Sequence, residues 1–298
     1  MDQQQDSADN LPVVVYTPDS RLRQPKVLLQ EIWTDLQVSK ELAWQLFQRH
    51  LGTRYRQTAL GPLWVLITPI FTALVVTVIR GKGIGDIPEG EILPVPIKVF
   101  FATIIWGFFA KSVRLPLQAM SESLAILKTM RVAVEGFLMA KVGEILFEQS
   151  FQFFVFGVVL LLLPLHQNIS DIPLSLSGSL LAVGLLAIMM VFGIGLGFFI
   201  VPIGSLYLDV DRALPMILQL WFFLTPEIYG PPITEESRYF FLLSLNPVAP
   251  LVKGVMDASL GAPVENGLSI VIVALLALGL FALGWLVYRV SIPLLVER

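Results

Sequence analysis

Ionisable side chains are rare in the long apolar runs of this sequence, so the few that interrupt such a run are the first candidates for chemistry. Lys141, Glu144, Glu148 and Gln152 lie three or four residues apart, which places them on one face of a helix. Ionisable groups in a membrane helix usually face the bundle interior or an aqueous cavity and pair with one another. The pattern predicts a Lys141–Glu144 ion pair near the cytoplasmic end of the helix or, alternatively, a polar lining for a substrate path.

A second group of charges stands directly before an apolar run. Arg54 and Arg56 precede residues 57–79, a stretch of 23 residues without a charge, which exceeds the roughly 20 residues needed to cross a bilayer. Pro62 suits the first turn of a helix, and Trp64 suits the headgroup level of a membrane. We interpret the two arginines as topology anchors. Binding of a phosphate group at the inner membrane surface stays open as a second role, because arginine suits phosphate.

Several classes of site lack their sequence signals. A phosphate-binding loop that ends in Gly-Lys-Ser/Thr does not occur, and Gly81-Lys82-Gly83 lacks the hydroxyl and the following helix. The sequence has no cysteine, and its two histidines, His50 and His166, are 116 positions apart. We therefore expect no catalytic residue, no metal and no cofactor on this chain. If the chain moves a solute uphill, the energy must come from a partner subunit or an ion gradient.

Composition indicates a membrane protein. Hydrophobic residues make up 55% of the sequence and charged residues only 14%, against roughly a quarter in soluble domains. The net charge of −3 provides no basic footprint for nucleic acid, so we expect no nucleic-acid partner.

The apolar runs predict an all-α integral membrane protein with six transmembrane helices. Four spans are clear, at 61–79, within 149–170, at 180–203 and at 266–288. The second span, within 92–115, requires Lys98 and Lys111 to extend toward the interface. A fifth span ends near 225–229. The 14-residue run that follows is typical of a re-entrant helical element, broken at Asn246 and Pro247, between spans five and six. Glycines 184, 193, 195 and 197 of the fourth span would let another helix approach closely, or reflect only the frequency of glycine in membrane helices.

The remaining segments complete the predicted organisation. Residues 1–24 are expected to form a flexible cytoplasmic tail, and residues 25–58 an amphipathic interface helix with a candidate break near Val38 and Ser39. The alternative for this helix is packing on a soluble partner. Residues 59–298 then form the transmembrane domain. Lys and Arg number 14 on the N-terminal side and five on the other, which places both termini in the cytoplasm.

Two cytoplasmic loops are candidates for a partner contact. Residues 121–135 are predicted to form a short helix with an apolar face and neighbouring cations, a surface on which an ATPase could act; the alternative is a plain solvated loop. The residues concerned are Leu124, Leu127, Lys128, Met130, Arg131 and Val134. The second loop, 207–212, carries Asp209, Asp211 and Arg212.

Aromatic residues cluster in two of the predicted spans. The second span holds Phe100, Phe101, Trp106, Phe108 and Phe109, and the fifth holds Trp221, Phe222, Phe223 and Tyr229. Sugar rings stack their C–H faces on aromatics, although aromatics equally fill the interior and interface of any membrane protein.

A family resemblance joins these features. Residues 54–64, Arg-Tyr-Arg-Gln-Thr-Ala-Leu-Gly-Pro-Leu-Trp, resemble the permease subunits of type-2 ABC exporters, in particular the branch that exports O-antigen, capsule or teichoic acid. Further similar segments are 218–222, 225–229 and 245–247. The chain lacks the proline of the family's usual Phe-Pro-Arg run in the first loop, alters the order of the Arg-Asp pair in the second, and has Glu227 where relatives are usually apolar.

The resemblance implies a permease in a bacterial plasma membrane, not an enzyme, which works as a homodimer with two copies of an ATPase that carries ATP and Mg²⁺. It implies a coupling role for the two cytoplasmic loops and a lipid-linked glycan or polyol phosphate as cargo. It also strengthens the sugar-path interpretation of the aromatics, with Trp106, Phe108, Phe109, Trp221, Phe222 and Tyr229 as candidates beside Glu144 and Glu148. The cargo's pyrophosphate would then be the phosphate group that meets Arg54 and Arg56.

Three alternatives remain. The first is a type-2 exporter of a drug or small lipid. The second is an ion-coupled secondary transporter that uses Glu144 and Glu148. The third is a membrane-embedded glycosyl transferase or ligase, which would need a catalytic carboxylate among Asp86, Glu89 and Glu91.

Overall fold

Apolar segments of membrane length fold as helices because only a helix satisfies every backbone polar group within the segment. The computed structural model describes residues 25–56, 58–79, 93–127, 134–163, 176–228, 245–264 and 267–296. Within these ranges the regular elements are eight α-helices and two 3-10 turns, with no strand. The predicted tail, 1–24, lies outside the described residues.

The α-helices of the described ranges are named here in chain order. They are α1 (Pro25–Arg56), α2 (Trp64–Ile79), α3 (Val95–Leu127), α4 (Glu135–Leu162), α5 (Leu176–Gly204), α6 (Leu208–Phe223), α7 (Ala249–Ser259) and α8 (Gly267–Val296). A 3-10 turn, Gly61–Leu63, leads into α2, and another, Pro226–Ile228, follows α6.

Five helices of the described chain are long and apolar enough to cross a membrane, so the chain is a multi-pass membrane protein. Their candidate spans are Gly61–Ile79, Val95–Leu124, Glu135–Leu162, Leu176–Gly204 and Gly267–Ile292. The predicted fifth span corresponds to α6, whose 16 residues reach only about 24 Å at 1.5 Å per residue. That length is short of the hydrocarbon core of about 30 Å, so a sixth span stays a prediction.

The predicted short helix at 121–135 is wrong. Helix α3 continues without interruption from Val95 to Leu127, and Glu135 already begins α4. Lys111 and Arg114, predicted at the end of the second span, therefore lie well inside α3. A change from apolar to polar residues marks the membrane surface and does not end a helix, which needs a cap or a breaker. Residues 128–133 fall outside the described ranges.

Helix α1 is continuous, and the candidate break at Val38 and Ser39 is wrong. Ser39 is buried, so packing overrides the modest helix propensity of serine. The second half of α1 packs along α4 of the same chain. At Gly143 of α4 a Cβ would lie 3.2 Å from the Phe47 ring of α1, which shows how closely the two helices approach.

Close packing at the centre depends on small residues of α5. A Cβ at Gly193 would lie 2.7 Å from Ser112 of α3, and one at Gly195 would lie 2.8 Å from the backbone of Phe281 in α8. Gly197 is equally tight against α3, whereas Gly184 faces open space. The prediction of a close helix approach is confirmed for three of the four glycines. Helix α3 lies in the middle of the bundle, with α5 packed on one side and α2 and α4 on the other.

Candidate functional site

A groove of about 470 Å³ lies between α2, α3, α4 and α6, beside the end of α1. Its lining divides by chemistry. Charged groups line one part: Arg54, Lys111, Arg114 and Glu148. Aliphatic side chains such as Val65 and Leu218 line another part, together with large aromatic rings and hydroxyls: Trp64, Trp106, Phe222, Thr58, Thr68, Thr72 and Thr103. The groove is therefore a polar and aromatic path within an apolar bundle.

The charged base of the groove is organised around Glu148. Its side chain is only 3% exposed, and it forms ion pairs with Arg54 from the end of α1 and with Lys111 from α3, whose Nζ lies 2.7 Å from Oε2. Arg54 and Lys111 face the groove and remain partly exposed. The carboxylate thus joins three helices at the point where the groove begins.

Two neighbouring polar residues complete the base. Gln152, one turn beyond Glu148, donates from Nε2 to the carbonyl of Val65 at 2.9 Å and so ties α4 to the first turn of α2. Tyr55 also lines the groove. Burial raises the pKa of the Tyr55 phenol, and the negative charge of Glu148 adds to that shift. Tyr55 therefore faces the groove as a neutral hydroxyl that can donate a hydrogen bond.

A second charge cluster lies one turn earlier on α4. Glu144 contacts His50 of α1 at 2.6 Å and Lys141 at 3.3 Å. Lys141 in turn pairs with Glu122 of α3 at 2.7 Å. This confirms the predicted Lys141–Glu144 pair and adds two partners that the sequence did not indicate. None of these four residues lines the groove.

The aromatic residues predicted to line a substrate path lie in two different places. Trp106 and Phe222 line the groove and pack edge to face, with ring centroids 5.9 Å apart. Phe108 and Phe109 are almost fully buried and do not line it. Phe109 stacks on Phe192 of α5 and belongs to the core. Tyr229 lies outside the described residues.

Trp221 is held by a polar contact at the end of α6. Its indole N–H donates to Asn246 Oδ1 at 3.0 Å, and Asn246 Nδ2 donates to Thr225 Oγ1 at 2.8 Å and to the carbonyl of Leu224. The backbone N–H of Val248 also donates to Asn246 Oδ1. Asn246 thereby fixes the segment before α7 to the end of α6.

Comparison with known proteins identifies this architecture. The family described as ABC-2 type transporter matches residues 41–260, well over half of the chain. The chain belongs to this family. It is also similar to the O-antigen export system permease protein RfbA of Myxococcus xanthus, with 27% identity over 222 residues that cover 70% of this chain and 75% of the relative.

Membership in the ABC-2 family makes the chain a membrane permease, a non-catalytic transport subunit that works with a separate ATPase subunit. The predicted family is confirmed. The finer assignment within it, to polysaccharide or polyol phosphate export, rests on the distant similarity to one O-antigen permease.

The residues predicted to couple this ABC-2 permease to an ATPase are only partly described. Lys128, Met130 and Arg131 lie outside the described residues, and Leu127 ends α3. Asp209, Asp211 and Arg212 are exposed in the first turns of α6. The two aspartates there suit the positive end of the helix dipole. Arg56 is exposed and does not line the groove, unlike Arg54.

The sequence analysis missed several residues that the permease brings together. Lys111 was considered only as a residue at the end of a span, and Arg114, Tyr55, His50 and Glu122 received no role. One sequence feature could have predicted that Lys111 and Arg114 act together. They stand three residues apart at the end of an apolar run, and so lie on one face of any helix that continues through them.

Proposed function

We propose that this ABC-2 permease exports a lipid-linked polysaccharide or polyol phosphate across the plasma membrane of a bacterium. It would act as a homodimer with two copies of an ATPase subunit, which hold ATP and Mg²⁺. The observation that carries the proposal is the groove, which combines a cationic base with a wall of aromatic rings and threonine hydroxyls.

Each part of the groove suits one part of such a cargo. Guanidinium and ammonium groups bind phosphate oxygens strongly, and Arg54, Lys111 and Arg114 supply them at the base. The rings of Trp64, Trp106 and Phe222 offer faces on which sugar C–H groups stack without demanding one sequence of sugars. A sliding polymer needs such tolerant contacts. The similarity to an O-antigen export permease supports the same cargo class.

The position of the base supports entry from the inner side of the membrane. Lys111 lies 16 residues after Val95 in α3, about 24 Å along the helix axis at 1.5 Å per residue. The excess of Lys and Arg on the N-terminal side assigns this end of the bundle to the cytoplasm. A lipid-linked anion would therefore meet the cations at the level of the inner headgroups.

Coupling would pass through the cytoplasmic ends of the helices. Helix α3 has 33 residues, about 50 Å, and therefore extends beyond a hydrocarbon core of about 30 Å. ATP binding would close the ATPase subunits, and their motion would reach the groove through the α3–α4 connection and through the start of α6. The ATPase contact would include residues 127–131 and 209–212.

Two carboxylates bear on the alternative of an ion-coupled transporter. Such a mechanism would use Glu144 and Glu148 as proton or cation carriers. Both carboxylates have cationic partners in the structure. A carboxylate already paired with a cation of the protein is a poor site for a transported cation, which favours an ATPase as the source of energy.

The test is removal of the chain in its own host. Deletion is expected to abolish surface polysaccharide while lipid-linked polymer accumulates inside, as measured by surface labelling and by extraction of glycolipid. A matched strain with an inactive partner ATPase should give the same phenotype. Transport should stop on ATP depletion and persist with an uncoupler. Normal surface polymer in the deletion strain would contradict the proposed cargo.

A further inference from the structure

Glu148 has an unusual position among the groups that line the groove. The carboxylate is 97% buried, yet its two cationic partners are 54% (Arg54) and 33% (Lys111) exposed. One carboxylate oxygen faces each cation, so Glu148 bridges α1 and α3. A carboxylate that bridges two groove-facing cations occupies the position that an anionic ligand would take.

Some of the other groups that line the groove are also buried and polar. Arg114 Nε and Gln152 Oε1 belong to residues that line the groove, and neither atom has a hydrogen-bond partner within the described part of the chain. Gln152 is 96% buried. Buried polar atoms normally have partners, so their gathering at one groove indicates a ligand that supplies them. Arg114 Nε offers a donor to an anion, whereas Gln152 Oε1 is an acceptor and would pair with a hydroxyl of the ligand and not with its phosphate oxygens.

The charges at the base favour an anion with more than one negative charge. Arg54, Lys111 and Arg114 carry three positive charges, and Glu148 neutralises one of them. A singly charged carboxylate from outside would gain little by exchanging with the resident one. A phosphate monoester or diphosphate brings more charge and more acceptor oxygens, which bind guanidinium and ammonium groups more strongly.

We propose that Glu148 is an exchangeable counter-ion, and that a phosphate or diphosphate headgroup binds at the base of the groove by displacing it from Arg54 and Lys111. The proposal rests on the proposed function, because it takes the phosphate to be that of the lipid-linked cargo. When the headgroup leaves the base, Glu148 pairs again with both cations. The carboxylate thus limits how long the headgroup stays and keeps the cations paired while the site is empty.

The test compares two carboxylates one turn apart. Full-length permease variants in phosphatidylcholine nanodiscs are titrated with farnesyl diphosphate or inorganic diphosphate, and tryptophan fluorescence reports binding because Trp64 and Trp106 line the groove. Glu148→Gln removes the competing charge and should tighten binding roughly tenfold, the equivalent of one charge-assisted hydrogen bond. Glu144→Gln, outside the groove, should leave the affinity unchanged. Lys111→Gln should weaken it roughly tenfold.

A further variant guards against a folding effect. Glu148→Asp keeps the negative charge and should stay within about twofold of the original affinity, as expected when the charge itself is the competitor. All variants are compared by size-exclusion profile and thermal unfolding. Unchanged or weaker diphosphate binding by Glu148→Gln would overturn the proposal, as would equal tightening by Glu144→Gln. If Glu148→Gln does not fold, failure of Lys111→Gln to weaken binding overturns it.

A further titration distinguishes a lipid-linked diphosphate from the phosphate of ordinary anionic membrane lipids. Nanodiscs that contain phosphatidylglycerol should not compete with farnesyl diphosphate; effective competition would assign the site to bulk anionic lipid and overturn the cargo role. The diphosphate-binding measurements do not depend on whether the chain exports a glycan, so the two proposals can fail separately. Diphosphate binding that responds to Glu148→Gln in a chain that exports no glycan would contradict the proposed cargo alone. Normal export with no response to Glu148→Gln would contradict this inference alone.

Discussion

Helix α4 carries two buried carboxylates, Glu144 and Glu148, one turn apart. Glu144 joins α4 to α1 through His50 and pairs with Lys141 of α4 itself, whereas Glu148 joins α4 to α1 and α3 through Arg54 and Lys111. Their surroundings differ. The partners of Glu144 are largely enclosed, and none lines the groove, whereas the partners of Glu148 face it. The comparison teaches that the same residue type, on the same helix face, can serve packing at one turn and ligand exchange at the next. The packing of the neighbouring helices determines the role of each carboxylate, because it either encloses the ion pairs or leaves them facing the groove.

The largest expected effect contrasts two aromatic residues. Phe109→Ala should destabilise the chain by about 4 kcal/mol, because the ring is fully enclosed and its removal leaves a cavity. Trp64→Ala should change stability far less, because the side chain is 54% exposed and lines the groove, but it should reduce export. Thermal unfolding in detergent and a surface-polymer assay measure the two effects. Equal loss of stability in both variants would contradict the division between core and groove.

The next contrast concerns two lysines. Lys141→Met leaves the buried Glu144 and the 40% exposed Glu122 without the cation that they share, and should cost about 1 to 2 kcal/mol of stability. Lys111→Met should affect stability less, because Glu148 keeps Arg54 as a cationic partner, yet it should abolish export. The measurements are the unfolding temperature and the export rate of each variant. A stable Lys141→Met protein with impaired export would reverse the assignment of the two clusters.

Substitutions of two glutamines of α4 are expected to change stability by smaller amounts, and in opposite directions. Gln152→Leu removes the hydrogen bond to the Val65 carbonyl and should destabilise the chain by about 1 kcal/mol. Gln149 is buried, and its amide has no hydrogen-bond partner among the described residues. Gln149→Leu should therefore stabilise the chain by about 1 kcal/mol, since it removes an unsatisfied polar group. Destabilisation by Gln149→Leu in thermal unfolding would indicate a partner for this amide.

The smallest contrast concerns the two arginines before α2. Arg54→Gln should lower the apparent affinity for the exported substrate roughly fivefold, because one charge-assisted contact at the base is lost. Arg56→Gln should have no measurable effect, because Arg56 is exposed and away from the groove. Substrate dependence of export in vesicles measures both variants. A larger effect of Arg56→Gln would support a role for it in substrate entry.

Much of the architecture was predictable because membrane insertion depends on local composition. The spans beginning at Gly61 and Gly267 follow from uncharged runs of membrane length, and the family assignment follows from the motif at residues 54–64. The Lys141–Glu144 pair was predictable because both partners lie on one turn of one helix. In each case the information is contained in a short stretch of sequence.

The ends of the helices were less predictable. The sequence indicated a loop where α3 continues to Leu127, and a break where α1 is continuous at Ser39. Charged residues at a membrane surface look like a loop in a hydropathy pattern, although the backbone can remain helical there. Packing on a neighbouring helix, such as that of α1 on α4, is not visible in the segment's own composition.

The sequence by itself determined that this chain crosses a membrane, belongs to a transporter family and carries a few ionisable residues on one face of α4. Only the tertiary structure decided which of those residues meet. Arg54, Lys111 and Glu148 come from three different helices. Lys111 and Glu148 are 37 residues apart in the sequence, and Arg54 is farther from both, so no local pattern relates the three residues. Their contact, and the choice of one carboxylate for the groove and one for the interior, follows from how the helices pack around α3.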